Sequence, residues 1–143
     1  MGDWYTIGVA LGVGLALGVL AAALLAWWRH GAAVSALAAA IAGVLAGIVT
    51  NRWMGEDWIA PVAGIVGGLI GAFSGTVIAQ GALRRGGTPG GTAFLVGSAS
   101  LALFLLALVP IVGYVQAAAA PVAALRARRK APDRHAGLRT LAK

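Results

Sequence analysis

Four long apolar stretches fill residues 4–125, and charge is almost confined to the gaps between them. Each stretch is long enough to cross a bilayer as a helix, which takes about twenty apolar residues. The fold class expected is therefore all-α: a polytopic membrane bundle of four transmembrane helices.

The four expected helices cover 4–28, 32–50, 59–83 and 93–116. The first holds no charged side chain and starts after Met1-Gly2-Asp3, without the basic start of a secretory leader. It reads as a retained membrane helix, with Trp4 and Tyr5 at one end and Trp27 and Trp28 at the other as interfacial anchors. The second is uncharged over 32–50 and spans about 28 Å at 1.5 Å per residue. The third carries Pro61 in its first turn, where a missing N–H costs little. A turn-rich segment, Arg84 to Gly91, follows.

The last apolar stretch, 92–125, is too long for one crossing: as a single helix it would run about 51 Å against a core of about 30 Å. Pro110, Gly113 and Pro121 are the places to bend or stop. The expectation is one helix over 93–116, kinked near Pro110, with an Ala-rich interfacial continuation. Two short crossings, or a re-entrant hairpin at 110–113, are the alternatives. Residues 1–125 then form the transmembrane domain and 126–143 a basic cytoplasmic tail.

Landmarks recur between the halves. Asp3-Trp4 opens the first stretch and Asp57-Trp58 the third; Arg29-His30-Gly31 closes the first and Arg84-Arg85-Gly86 the third. They mark a candidate duplicated two-helix hairpin, both copies in one orientation, set against chance resemblance between short hydrophobic chains.

The net charge of +7 belongs to the tail. Residues 1–125 carry a net of +1, and 126–143 a net of +6. Under the positive-inside rule the tail and Arg52 outvote Arg29, Arg84 and Arg85, so both termini are expected in the cytoplasm. The short loops vote the other way, and five crossings would reconcile every vote. Abundant Ala, Gly and Arg fit a GC-rich bacterial genome, so the expected location is a bacterial inner membrane.

Glycine is abundant, 22 of 143 residues, about twice the usual share. Its spacing makes glycine-rich packing faces. Gly67, Gly71 and Gly75, four apart, lie on one face of the third helix, with Gly64 and Gly68 adjacent. Gly8 and Gly12, Gly14 and Gly18, and Gly43 and Gly47 repeat the spacing on the first two helices. Such faces let backbones approach closely in lipid. They serve packing within one chain, or self-association through the third helix.

The chemistry these residues exclude is as informative. No cysteine is present, which removes disulfides and thiolate metal sites. His30 and His135 both lie in basic surroundings and make no metal cage. There is no HExxH, no Ser/His/Asp arrangement and no P-loop; the glycines of 86–91 read as a turn. No enzyme activity, cofactor or metal is expected. Asn51, Arg52, Glu56 and Asp57, flanked by Trp53 and Trp58, form the one polar loop cluster; it reads as a solvated turn, or as a binding mouth.

Inside the stretches the polar side chains are mild: Ser35, Thr50, Ser74, Thr76, Gln80, Ser98, Ser100, Tyr114 and Gln116. Pumps and proton-coupled transporters usually carry ionisable groups there. Ser and Thr can return to their own helix backbone, and Gln80 and Gln116 are expected to bond between helices or sit at the interface. Arg126, Arg128, Arg129 and Lys130 make a juxtamembrane cluster suited to anionic lipid. Without interleaved aromatic residues they have no means of stacking bases, so no nucleic acid is expected.

The function expected is that of a small non-enzymatic integral membrane protein acting through helix packing, self-association, or as an accessory subunit of a membrane complex. Its partners are then the bilayer, including anionic lipids, and a homo-oligomer or larger complex. The alternative is a small channel or facilitator for an uncharged or weakly charged solute. It requires a continuous polar path lined by Ser74, Thr76 or Ser98.

Overall fold

A computed structural model describes residues 3–28, 32–54 and 58–129, and among the described residues every regular element is a helix. There are five: α1 Asp3–Trp28, α2 Ala32–Met54, α3 Ile59–Arg84, α4 Pro89–Ala107 and α5 Pro110–Arg129. Asp3–Leu25 within α1, and all of α3 and α4, are long and apolar enough to cross a membrane by length and composition.

The first three helices follow the expected stretches within a few residues. The last stretch departs from expectation: one kinked helix over 93–116 is replaced by two helices separated at Leu108 and Val109. Proline explains the break. Pro110 has no N–H to give the Leu106 carbonyl, and its ring disfavours helical backbone at the preceding residue. The Leu106 carbonyl accepts from the Val109 N–H instead, at 3.1 Å. Pro110 then occupies the first position of α5, where its fixed φ suits a helix start. Pro121 lies inside α5 without ending it.

The α3–α4 turn is built from its own residues. The N–H groups of Arg85 and Gly87 both donate to the Ala82 carbonyl, at 3.1 and 3.0 Å. Gly86 takes φ +86°, a conformation that glycine adopts without strain. Thr88 caps α4, its hydroxyl accepting from the Gly91 N–H at 3.2 Å, with Pro89 next.

α1 and α3 form the centre, and each touches all the other helices. Side-chain-free glycines let their backbones meet. Gly14 lies against the Gly64 carbonyl, Gly18 against Gly68, and Gly67 and Gly71 against the carbonyls of Leu11 and Leu15. The pairing ascends along both helices, so α1 and α3 run parallel. α2 descends along α3: Gly43 meets Gly64, and Gly47 meets Ala60 and Pro61. α4 descends along α1, with Ala107 against Gly12 and Gly97 facing Leu20. α5 rises again beside α1: Pro110 and Gly113 reach Gly8, while Ala117 and Ala120 pack on the Leu15–Val19 cluster.

The five helices therefore alternate in direction. Asp3, Trp4, Arg52, Trp58 and the α4–α5 turn stand at one end of the bundle. Arg84, Arg85, Arg126, Arg128 and Arg129 stand at the other. Between the ends, the core is made of small residues such as Ala10, Ala16, Ala60 and Ala79, with Val9, Leu15 and Val19. Large apolar side chains point outward instead, Phe94 75% and Leu95 70% exposed among them. In water this would be a large exposed apolar surface; in lipid it is the ordinary exterior.

Candidate intramembrane crevice

Among the described residues the helices leave an apolar crevice whose lining includes Ser74 and Gln116. α5 leans on α1 and α3 and touches α4 little, so the α4–α5 hairpin splays. The gap encloses about 390 Å³. Leu95, Val96, Ala99 and Leu103 of α4 form one wall, and Gln116, Ala119, Ala120 and Ala123 of α5 the other. Val19 of α1 with Ser74 and Ile78 of α3 make the floor. Several wall residues, Leu95, Ala99, Ala119 and Ala123, are also exposed on the outside of the bundle, so the crevice opens sideways.

The hairpin is held near its turn by two long-range hydrogen bonds. Gln116 Nε2 donates to the Leu103 carbonyl at 3.2 Å, tying α5 to α4. Tyr114 Oη donates to the Trp4 carbonyl at 2.9 Å, tying α5 to the first turn of α1. Gln116 thus makes a helix-to-helix bond, as expected of it. The bond also orients the amide: its nitrogen faces a carbonyl, so its oxygen is turned elsewhere.

That oxygen, Gln116 Oε1, is buried with no hydrogen-bond partner, and so is Ser74 Oγ. Ser74 is 1% exposed and Gln116 7%. The contrast with neighbouring hydroxyls is plain. Ser98 Oγ donates to the Phe94 carbonyl at 2.8 Å and Thr76 Oγ1 to the Phe73 carbonyl at 2.9 Å, each within its own helix. Ser74 does not take that route. Leaving a hydroxyl or an amide oxygen unpaired in an apolar setting costs about 1–3 kcal/mol by mutational measures. The residues that carry these two groups both border the crevice, whose open surface is apolar.

The other residues singled out from the sequence fall into three groups. Gly8, Gly12, Gly14, Gly18, Gly43, Gly47, Gly64, Gly67, Gly68, Gly71 and Gly75 are all buried in contacts between helices of this one chain. Gly8 meets Pro110 and Tyr114, and Gly75 meets Val19 and Ala22. In the loop cluster, Asn51 and Arg52 belong to the last turn of α2, while Glu56 and Asp57 lie outside the described residues. In the basic cluster, Arg126, Arg128 and Arg129 form the last turn of α5. Lys130 and the remaining tail lie outside the described residues, as do Arg29, His30 and His135.

That Ser74 and Gln116 border one crevice was not readable from spacing, because the residues are 42 positions apart on different helices. The available signal was their polarity within otherwise apolar stretches. Compared with known proteins, the chain matches no family model, no curated protein and no solved structure.

Proposed function

We propose that this chain is a non-enzymatic, multi-pass membrane protein that works through helix packing, as a subunit beside other membrane-embedded chains. One observation carries the reading: the outer face of α5. Val115, Ala118, Ala119, Val122, Ala123 and Arg126 line a shallow hollow of about 560 Å³ there. Their spacing follows one helix face. Small residues on such a face let a further helix approach closely, the main source of association in lipid. The glycine rows of α1, α2 and α3 act as internal packing faces in this reading and are spent within the chain. Self-association through Gly67, Gly71 and Gly75 is therefore set aside in favour of α5.

The reading includes five crossings. α2 is uncharged over 32–50, and α5 at 20 residues reaches about 30 Å at 1.5 Å per residue. Arginine then gathers at the end of the bundle where α3 and α5 finish, against Arg52 alone at the other among the described residues. The positive-inside rule makes the arginine-rich end cytoplasmic. This puts the tail inside and the N-terminus outside, in place of the expectation of two cytoplasmic termini. A bacterial inner membrane remains the proposed setting, with Arg126, Arg128, Arg129 and Lys130 on its anionic surface.

The channel reading draws less support. Of the three side chains it needs, Thr76 and Ser98 turn back on their own helices, and the remaining one, Ser74, is buried beneath a crevice walled by hydrocarbon.

The test is the mass of the particle extracted in mild detergent. A lone chain weighs 14.2 kDa. The expected particle is heavier, and Ala118→Trp on the α5 face returns it to the lone mass without lowering its melting temperature. A wild-type particle of one chain in every mild detergent and lipid mixture overturns the reading. Solute flux into liposomes holding the purified chain would instead support the channel.

A further inference from the structure

The crevice between α4 and α5 is apolar over its open surface, and its side opening faces the surrounding lipid. At about 390 Å³ it is more than twice the size of an engineered cavity of about 150 Å³ that admits benzene. It therefore has room for a length of acyl chain. Burying a chain there does not by itself select one lipid over another, because the bilayer outside is equally apolar. Selection has to come from a headgroup, and so from the charged end of the helices that form the crevice.

Arg85 is the residue that connects the two. Ser74 and Ile78 floor the crevice, and Arg85 follows them on the same face of α3 at spacings of four and seven. Helix side chains slant toward the helix N-terminus, and Arg85 does so. Its Nη2 lies 3.9 Å from the point that a Cβ on Gly81 would occupy. Gly81 is three residues beyond Ile78, a rise of about 4.5 Å. The guanidinium thus stands about one helical turn beyond the crevice floor, where the glycerol of a lipid links phosphate to chain. Arg84, Arg126, Arg128 and Arg129 stand at the same end. Among the described residues the one carboxylate, Asp3, is at the other end. An anionic headgroup meets only cations here, whereas a zwitterionic one brings a further cation among them.

We propose that the crevice holds one acyl chain of an anionic phospholipid, with the lipid phosphate at Arg85. The chain enters sideways, past Leu95 and Ala99 on one wall and Ala119 and Ala123 on the other. The guanidinium supplies N–H donors to the phosphate oxygens, a charge-assisted pairing. The Gln116–Leu103 bond ties α4 to α5, so the walls are set before the lipid arrives. This differs from the general attraction of the basic tail for a charged surface: one lipid is held, and holding it requires one arginine and the shape of one crevice. The site needs the membrane setting proposed above but no partner helix on α5. A lone chain that retains the lipid therefore refutes the subunit reading and leaves this one standing.

The test is native mass spectrometry of the full chain released from nanodiscs made of equal parts phosphatidylglycerol and phosphatidylcholine. One phosphatidylglycerol is expected to stay bound. Arg85→Gln should lower its retention about fivefold, the factor that one basic residue near the surface gives. Arg84→Gln removes the same charge at the same end from another face of α3, and should retain the lipid as wild type does. Ala99→Phe narrows the crevice, leaves Arg85 in place and should abolish retention. A phosphatidylglycerol with a diazirine in its acyl chain should place adducts on Leu95, Leu103 or Ala120 of the wild-type chain, a readout that depends on no variant. Equal losses in Arg84→Gln and Arg85→Gln would reduce the effect to net charge and overturn the site. Equal retention of the two lipids, adducts confined to other surfaces, or wild-type retention by a folded Ala99→Phe each overturns it as well. Release of the lipid by millimolar inorganic phosphate would assign Arg85 to free phosphate and remove the seated chain.

Discussion

Gly67→Ala is the sharpest probe of the α1–α3 contact, because it adds one methyl group and nothing else. A Cβ built at Gly67 runs into the Leu11 carbonyl oxygen and stands 2.9 Å from the Leu11 carbonyl carbon and 3.0 Å from the Leu15 nitrogen. Ordinary contact begins at 3.4 Å. The obstructing atoms are backbone, held in the hydrogen-bond ladder of α1, so no side-chain rotation relieves them. α1 must retreat by several tenths of an ångström along its contact with α3. That retreat loosens the neighbouring approaches of Gly71 to Leu15 and of Gly14 to Gly64. Overpacking of this kind costs about 1–3 kcal/mol, and lipid offers no hydrophobic gain to offset it. Gly81→Ala is the control. It lies on the same helix, yet the nearest atom to its added Cβ is Arg85 Nη2 at 3.9 Å. There alanine should be neutral, or stabilising through helix propensity. In detergent, Gly67→Ala is expected to melt about 4 °C or more below wild type, with Gly81→Ala at or above it. Should Gly67→Ala melt with wild type, the backbone approach of α1 and α3 does not hold the bundle and this reasoning fails.

Four further outcomes are expected. A single cysteine at Gly2 should react with a membrane-impermeant thiol reagent in intact cells and one at Ala142 should not; protection of both would restore two cytoplasmic termini and remove the fifth crossing. Tyr114→Phe deletes the bond to the Trp4 carbonyl and should cost about 1 kcal/mol, read as a lower melting temperature; no change would mean that α5 is held to α1 by glycine packing alone. Thr88→Ala removes the cap of α4 and should cost about 1 kcal/mol, whereas Thr88→Ser should retain most of it; equal loss in both would assign the effect to the methyl group. A peptide covering 126–143 should bind phosphatidylglycerol vesicles at low salt and release as salt rises, because attraction at the surface decays over about 8 Å at physiological ionic strength; equal binding to neutral vesicles would point to apolar insertion through Leu138 and Leu141.

Some of this protein was legible in the residue order, and the reason is solvent. Long uncharged runs admit only helices in hydrocarbon, so the existence and approximate bounds of α1, α2 and α3 follow from composition and length. Glycines four apart must share a helix face, so their grouping was equally plain. What they face was not. The partner of Gly67 is a backbone on α1, and that contact could be found only once the helices were placed. The same holds for the last stretch. Pro110 in the sequence permits a kink, a break or a re-entrant turn. The choice of a break, with α5 returning beside α1, rests on Gly113 fitting against Gly8 and on Tyr114 reaching the Trp4 carbonyl. Ser74 and Gln116 show the limit most clearly. Periodicity relates residues on one helix, whereas the crevice is made by a hairpin opening between helices. Solvent selects the helices; their lateral contacts, which depend on shape at the scale of one methyl group, select which polar atoms are buried without a partner.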